Sequence, residues 1–174
     1  MSNLAGVHGK LAEARFFLDL LARIENGQPV TTEPRDSEAT YFTSALLNAC
    51  YSVLEHLKKQ GKNALRIAGR RDLAVDLEKA IEDTRRQNPI LDHSDGLRSL
   101  SVHLKIVDIK HSAGHGGGYG ASMYGTSMYG ASGSGGQLYV DDPFSGVPVL
   151  LVPMMTKQVH ELEELVRRWE ALVD

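Results

Sequence analysis

Cysteine is almost absent from this chain of 174 residues, Cys50 being the only one. A lone thiol excludes an intrachain disulfide framework, and a reducing cytoplasm is the expected setting. Its surroundings, ALLNACYSVL, read as a buried packing thiol rather than a nucleophile. Long hydrophobic runs are missing as well. No stretch approaches the ~18 apolar residues of a membrane span, and the first residues lack the basic-then-apolar order of a signal peptide, so no membrane association is expected. Nor does one sign of charge prevail: the formal net charge is −3. That argues against a large basic duplex-binding surface, but not against a small local phosphate site. No Walker or dinucleotide signature occurs either, because the lysine and the strand-to-helix context it needs are absent.

What is present is an ordinary globular balance, 42% hydrophobic and 24% charged residues, long enough for one core. The apolar residues Leu4, Leu11, Ala14, Leu18 and Leu21 recur at helical spacing, widened by Phe16, Phe17 and Leu20. They predict a first amphipathic helix over 4–24 that ends at Asn26-Gly27. A second helix comes after Pro29 and Pro34, capped by Asp36 or Ser37 with Glu38 in its first turn. Its stripe is Phe42, Ala45, Leu46, Ala49, Val53 and Leu57, and Lys58-Lys59-Gln60-Gly61 is read as its C-terminus. A third covers 72–87 with Leu73, Leu77, Ala80, Ile81 and Thr84 inward. Arg70, Arg71, Arg85 and Arg86 mark its ends, either as helix-end electrostatics or as a positive rim near a phosphate.

Ten of the seventeen glycines lie between Gly114 and Gly136, around the near-repeat ASMYG, TSMYG. Ordering such a stretch costs much backbone entropy with few side chains to recover it, so a loop over 114–136 is expected. Tyr119, Met123, Tyr124, Met128 and Tyr129 leave open a segment that orders against a partner. Two strand candidates, 137–140 and 147–152, flank the turn sequence DDPFSG as a hairpin insertion over 137–153. A last helix, 157–173, possesses a stripe of Val159, Leu162, Val166, Trp169 and Val173, with Thr156 as its cap. Glu163–Arg167 and Glu164–Arg168 are its expected i,i+4 pairs. The expectation is a single domain over 1–174, mainly α, a four- to five-helix bundle with a glycine-rich loop and a short β-hairpin before the C-terminal helix.

The stretch NPILDHSDGLRSLSVH, 88–103, carries the chemistry. Asn88 is a good N-cap and Pro89 suits the first helical position. If this helix continues past Gly96, Ile90, Leu97, Leu100, Leu104 and Val107 define its core side. Measured from Leu97, Arg98 then projects near about 100° and His103 near about 240°, both away from the core. Asp95, Ser99 and Val102 lie between them, with Leu91 one layer below. An apolar pair mixed with Asp, Ser, Arg and His suits a face completed by a second copy of the chain across a two-fold axis. Histidine can move a proton near neutral pH, and arginine gives a permanent bidentate donor to a phosphate. With RNA the adjacent 2′-hydroxyl is the nucleophile, so neither metal nor cofactor is required. Ser99 adds one hydrogen bond.

With ARFFLDLL and EATYFTSALLNACYSVLEHL upstream of this stretch, residues 4–108 resemble the HEPN superfamily (higher eukaryotes and prokaryotes nucleotide-binding domains). The resemblance implies a helical, usually dimeric domain, often a metal-independent ribonuclease of toxin–antitoxin or defence systems that leaves 2′,3′-cyclic phosphate ends. It implies Arg98 and His103 as catalytic residues, with Ser99 where the family commonly has Asn. It equally accommodates a non-catalytic dimerisation or interaction module, an antitoxin, scaffold or sensor. The implied partners are a second copy through the Arg98/His103 face, an RNA substrate and a cognate antitoxin or other protein. A rival register, Arg86 to His93, would straddle Pro89 and turn His93 toward the core. His111 and His115 lack a third metal ligand. His8, His56 and His160 are isolated, Asp141 and Asp142 are turn residues, and Glu38 and Tyr41 could approach the active face from the second helix.

Overall fold

The computed structural model describes residues 4–28, 30–88, 90–91, 96, 110–111 and 136–173. Four helices dominate them: α1 (Ala5–Glu25), α2 (Arg35–Ile67), α3 (Arg71–Arg86) and α4 (Leu151–Val173). They form a mainly α bundle with a small antiparallel sheet before the last helix, as the periodicities predict. Leu11, Ala14, Leu21, Leu46, Val53, Leu57, Leu77, Ile81, Leu162, Val166 and Trp169 all lie in one buried cluster. Burying such stripes against one another is what stabilises each helix, since propensity alone is marginal at these lengths. No helix among the described residues is long and apolar enough to cross a membrane.

The start of α1 packs closely on α2: a Cβ on Gly6 would meet His56 Nδ1 at 2.7 Å. Asn26-Gly27 ends α1 as expected. The Gly27 amide donates to the Ile24 carbonyl and the Gln28 amide to the Arg23 carbonyl, both at 2.9 Å, a Schellman closure with Gly27 at φ 73°.

The second helix departs from expectation. It spans 33 residues and runs straight through Gly61. A Cβ on Gly61 would lie 2.8 Å from Leu77 Cδ2, so this glycine serves a close α2–α3 crossing, not a helix end. Termination falls to Gly69, at φ 75°, with Arg70 N donating to Leu65 O at 2.8 Å and Gly69 N to Arg66 O at 3.1 Å. Nor does Asp36 or Ser37 cap the start. The N-cap position is Pro34, and no side chain caps that end. Glu38 is buried and turns its carboxylate back to the amides of Val30 and Thr31.

The final helix begins at Leu151, six residues before the expected Lys157. Pro153 falls in its first turn, where a missing N–H costs nothing. Thr156 is therefore inside the helix, its hydroxyl donating to the Val152 carbonyl at 2.8 Å. The strand before it shortens accordingly. The sheet is β1 (Lys110–His111), β2 (Leu138–Asp141) and β3 (Pro148–Leu150), in that spatial order and antiparallel. Its register pairs Tyr139 with Lys110 on one side and Leu150 on the other. The hairpin was legible in the sequence; β1 was not.

A polar node fastens this sheet to the α1–α2 corner. Glu25 Oε1 accepts from the Leu138 amide at 3.0 Å, the Gly136 amide donates to the Glu25 carbonyl at 3.1 Å, and Arg35 donates to the Gly136 carbonyl. Backbone groups that the short strands leave unpaired thereby find partners.

Candidate functional site

The stretch that carries the candidate chemistry starts at a well-defined corner. Asn88 caps as its sequence predicts, Oδ1 accepting from the amides of Ile90 at 2.9 Å and Leu91 at 3.1 Å. Its other amide atom, Nδ2, donates to Gln158 Oε1 of α4 at 2.6 Å, and both side chains are buried. The corner is thus held from below by its own cap and from the side by the last helix. Beside it runs an open groove of roughly 520 Å³ between the end of α3 and α4, bordered by Thr84, Gln87, Glu161 and Arg168.

The cap does not open the regular helix expected at this point. Ile90 and Leu91 are in a turn and Gly96 is in a bend. Leu91 is fully buried at 0% exposure and belongs to the core cluster, together with Ile90 at 3%. A wheel phased through Gly96 therefore misplaced Leu91, which was expected on the outer face. The capped turn carries both side chains into the core. Arg98, Ser99 and His103 lie outside the described residues, as do Asp95, Val102, His93, His115 and the glycine-rich 114–135.

Of the four arginines at the ends of α3, the structure separates the roles. Arg85 is 2% exposed and enclosed. It is ion-paired to Glu55, stands 3.5 Å from Glu82, and lies over the Tyr51 ring at 4.7 Å from guanidinium carbon to centroid. Burial opposes the charge on Glu55, but the Arg85 hydrogen bond and charge, helped by Tyr51 and Lys58, outweigh it and hold the carboxyl below its ordinary value. Arg85 is thus a buried tie between α2 and α3. Arg70 donates to the Leu172 carbonyl at 2.5 Å, capping the C-terminus of α4. Arg71 and Arg86 are exposed.

The remaining candidates have structural roles or stand apart from the corner. Glu38 is committed to backbone amides, while Tyr41 is 61% exposed. His8 bonds Glu170 at 2.8 Å between α1 and α4, and His160 is exposed. Cys50 is fully buried, and desolvation pushes its thiol up to about 12. Asp142 Oδ1 accepts from the amides of Ser145 at 2.8 Å and Phe144 at 3.0 Å, turn chemistry that holds its carboxyl below the ordinary range. Glu163 pairs with Arg15 of α1 at 2.6 Å, not with Arg167, which bonds Glu164 at 2.5 Å instead. Among the described residues no three His, Cys, Asp or Glu side chains converge as a metal site. No family model, curated protein or solved structure matches this chain.

Proposed function

We propose that this chain is an RNA-cleaving protein of HEPN type that works without a metal, as a dimer. The observation that carries the reading is the spacing of Arg98 and His103 at the end of the segment that Asn88 opens. Asn88 is buried and bonded to α4, which gives the segment a fixed origin in the fold. In the proposed reaction His103 removes the proton of a ribose 2′-hydroxyl. The freed oxygen attacks the adjacent phosphorus, the bond from phosphorus to the 5′-oxygen breaks, and a proton passes to that leaving oxygen. The products are a 2′,3′-cyclic phosphate and a 5′-hydroxyl. Arg98 neutralises charge that grows on the phosphoryl oxygens, and Ser99 donates one further hydrogen bond. A second subunit across the Arg98/His103 face supplies the matching pair, and an antitoxin that masks the cleft is the corresponding partner.

The test is cleavage of RNA by the purified protein in excess EDTA, with Arg98→Ala and His103→Ala compared for activity and for dimer mass. Loss of cleavage in both with the dimer intact is the expected result. Equal cleavage by either variant and wild type sinks the catalytic assignment.

A second reading, a non-catalytic interaction module, draws on the aromatic surface of α1 and α2. Phe16 is 57% exposed and packs edge-on to Phe17 at 5.4 Å, which stacks on Phe42 at 6.3 Å. Such a surface fits a protein partner. It predicts no RNA cleavage under any condition, together with hydrogen-exchange protection of α1 and α2 when the partner binds.

A further inference from the structure

Six of the nineteen basic residues, and none of the twenty-two acidic ones, fall within 58–71. This is an unusual concentration for a chain whose net charge is negative. The structure shows which of these cations are already spent. Lys58 stands 3.1 Å from Glu82 and 3.3 Å from Glu78, Lys62 is paired to Glu78, and Arg70 is bonded to the Leu172 carbonyl. Lys59, Arg66 and Arg71 remain: all three are exposed and none is in an ion pair among the described residues.

These three are not scattered. Lys59 and Arg66 are seven residues apart on α2, hence on one face and roughly 10 Å apart along the axis. Arg71 opens α3 just after the turn. Two grooves of about 550 and 560 Å³ share Lys62 and Arg66, the first reaching Lys59 and the second Arg71, so the surplus charges line one continuous track. The carboxylates along it are neutralised from inside, Glu55 by Arg85 and Glu78 by Lys58 and Lys62.

We propose that this edge of α2 and the start of α3 bind a single RNA strand by its phosphates, through Lys59, Arg66 and Arg71. The choice of RNA rests on the proposed RNA reading; the charge track stands on its own geometry. An anionic membrane fits less well. A helix that lies in a lipid interface backs its cations with a broad apolar face, whereas here Gln60 and Asn63 lie between Lys59 and Arg66, and the large apolar side chains exposed beside the cations are two, Ile67 and Val75. A linear polyanion matches a row of charges along an open groove whose walls mix polar side chains with Ala74 and Val75.

The experiment is fluorescence anisotropy of full-length protein with a labelled 2′-O-methyl oligouridylate, which cannot be cleaved, across a salt series. With three phosphates neutralised, the slope of log affinity against log salt should be about −2. The triple variant Lys59→Gln/Arg66→Gln/Arg71→Gln should lose about tenfold or more in affinity and bring that slope toward zero. A charge-matched control, Arg23→Gln/Lys79→Gln/Lys157→Gln, should bind as wild type does. If the triple variant binds normally, or the control loses as much, the track is refuted. Capture of phosphatidylserine vesicles through the same three residues, without RNA binding, overturns the ligand assignment. A protein that binds the probe through this track yet cleaves no RNA contradicts the catalytic reading alone. One that cleaves RNA with the triple variant's KM unchanged contradicts the track alone.

Discussion

Asn88 and Gln158, seventy positions apart, share a buried hydrogen bond of 2.6 Å from the Asn88 amide to the Gln158 carbonyl oxygen. It joins the start of the candidate segment to the middle of the last helix. Because Asn88 also caps the adjoining turn, one side chain satisfies three partners. Asn88→Ala should therefore cost about 2–3 kcal/mol, a lost cap plus a buried carbonyl left unpaired. Asn88→Asp should cost less, because it retains the cap acceptor. The Gln158 amide can also rotate to present Nε2, which has no partner of its own. Urea unfolding of the two variants checks the order; equal losses would remove Gln158 from the account.

Two glycines on neighbouring helices should respond in opposite directions to the same substitution. Gly9 is exposed on α1 with open space where a Cβ would go, so Gly9→Ala should stabilise by roughly 0.5–1 kcal/mol. Gly61→Ala gains the same propensity but drives a methyl group against Leu77, itself fully buried. Overpacking of this kind costs about 1–3 kcal/mol, and a net loss is expected. Thermal midpoints of the pair decide it.

Arg85 should be the most sensitive charged residue of the α2–α3 interface. Arg85→Met keeps volume but removes the partner of half-exposed Glu55, while Glu82 retains Lys58, and should cost about 1–2 kcal/mol. Arg85→Lys should recover little, because an ammonium cannot span Glu55, Glu82 and the Tyr51 face together. The folded-state pKa of Glu55 lies below its ordinary 4.5. Its contribution is therefore present above pH 4.5 and lost as pH falls below that value through the folded pKa. Urea midpoints measured from about pH 5 to about pH 3 should fall less steeply in Arg85→Met than in wild type. Identical slopes would mean that the pair is not the source.

Cys50 should be chemically silent until the bundle opens. Fully buried and with its thiol near 12, it offers almost no thiolate at neutral pH. Labelling by a disulfide reagent should track the global unfolding rate and accelerate only with denaturant. Rapid labelling of native protein would show a local opening of α2 around this position.

Most of the bundle is legible in the sequence because its signals are local. The stripe through Leu46, Val53 and Leu57 repeats every turn, and the Asn26-Gly27 stop and the Asn88 cap each need only their immediate neighbours. Errors arose where a local signal had two meanings. Gly61 after two lysines reads as a helix end, yet its missing side chain serves the approach of Leu77 from another helix. The run 147–152 reads as a strand, yet Leu151 and Val152 open the last helix, with Pro153 in its first turn. Arg85 reads as an end-of-helix cation, and only Glu55 and Tyr51, thirty or more positions away, make it a core residue.

By itself, then, the sequence determined the number and phase of the described helices and the hairpin before the last one. Periodicity, capping and turn preference act over a few residues, and no distant partner is needed to read them. The tertiary structure alone decided which cations are spent. Lys58 and Lys62 find carboxylates on α3, Arg70 finds the end of α4, and Lys59, Arg66 and Arg71 are left facing solvent along one track. Charge is written in the chain, but neutralisation depends on what folding brings within a few ångströms.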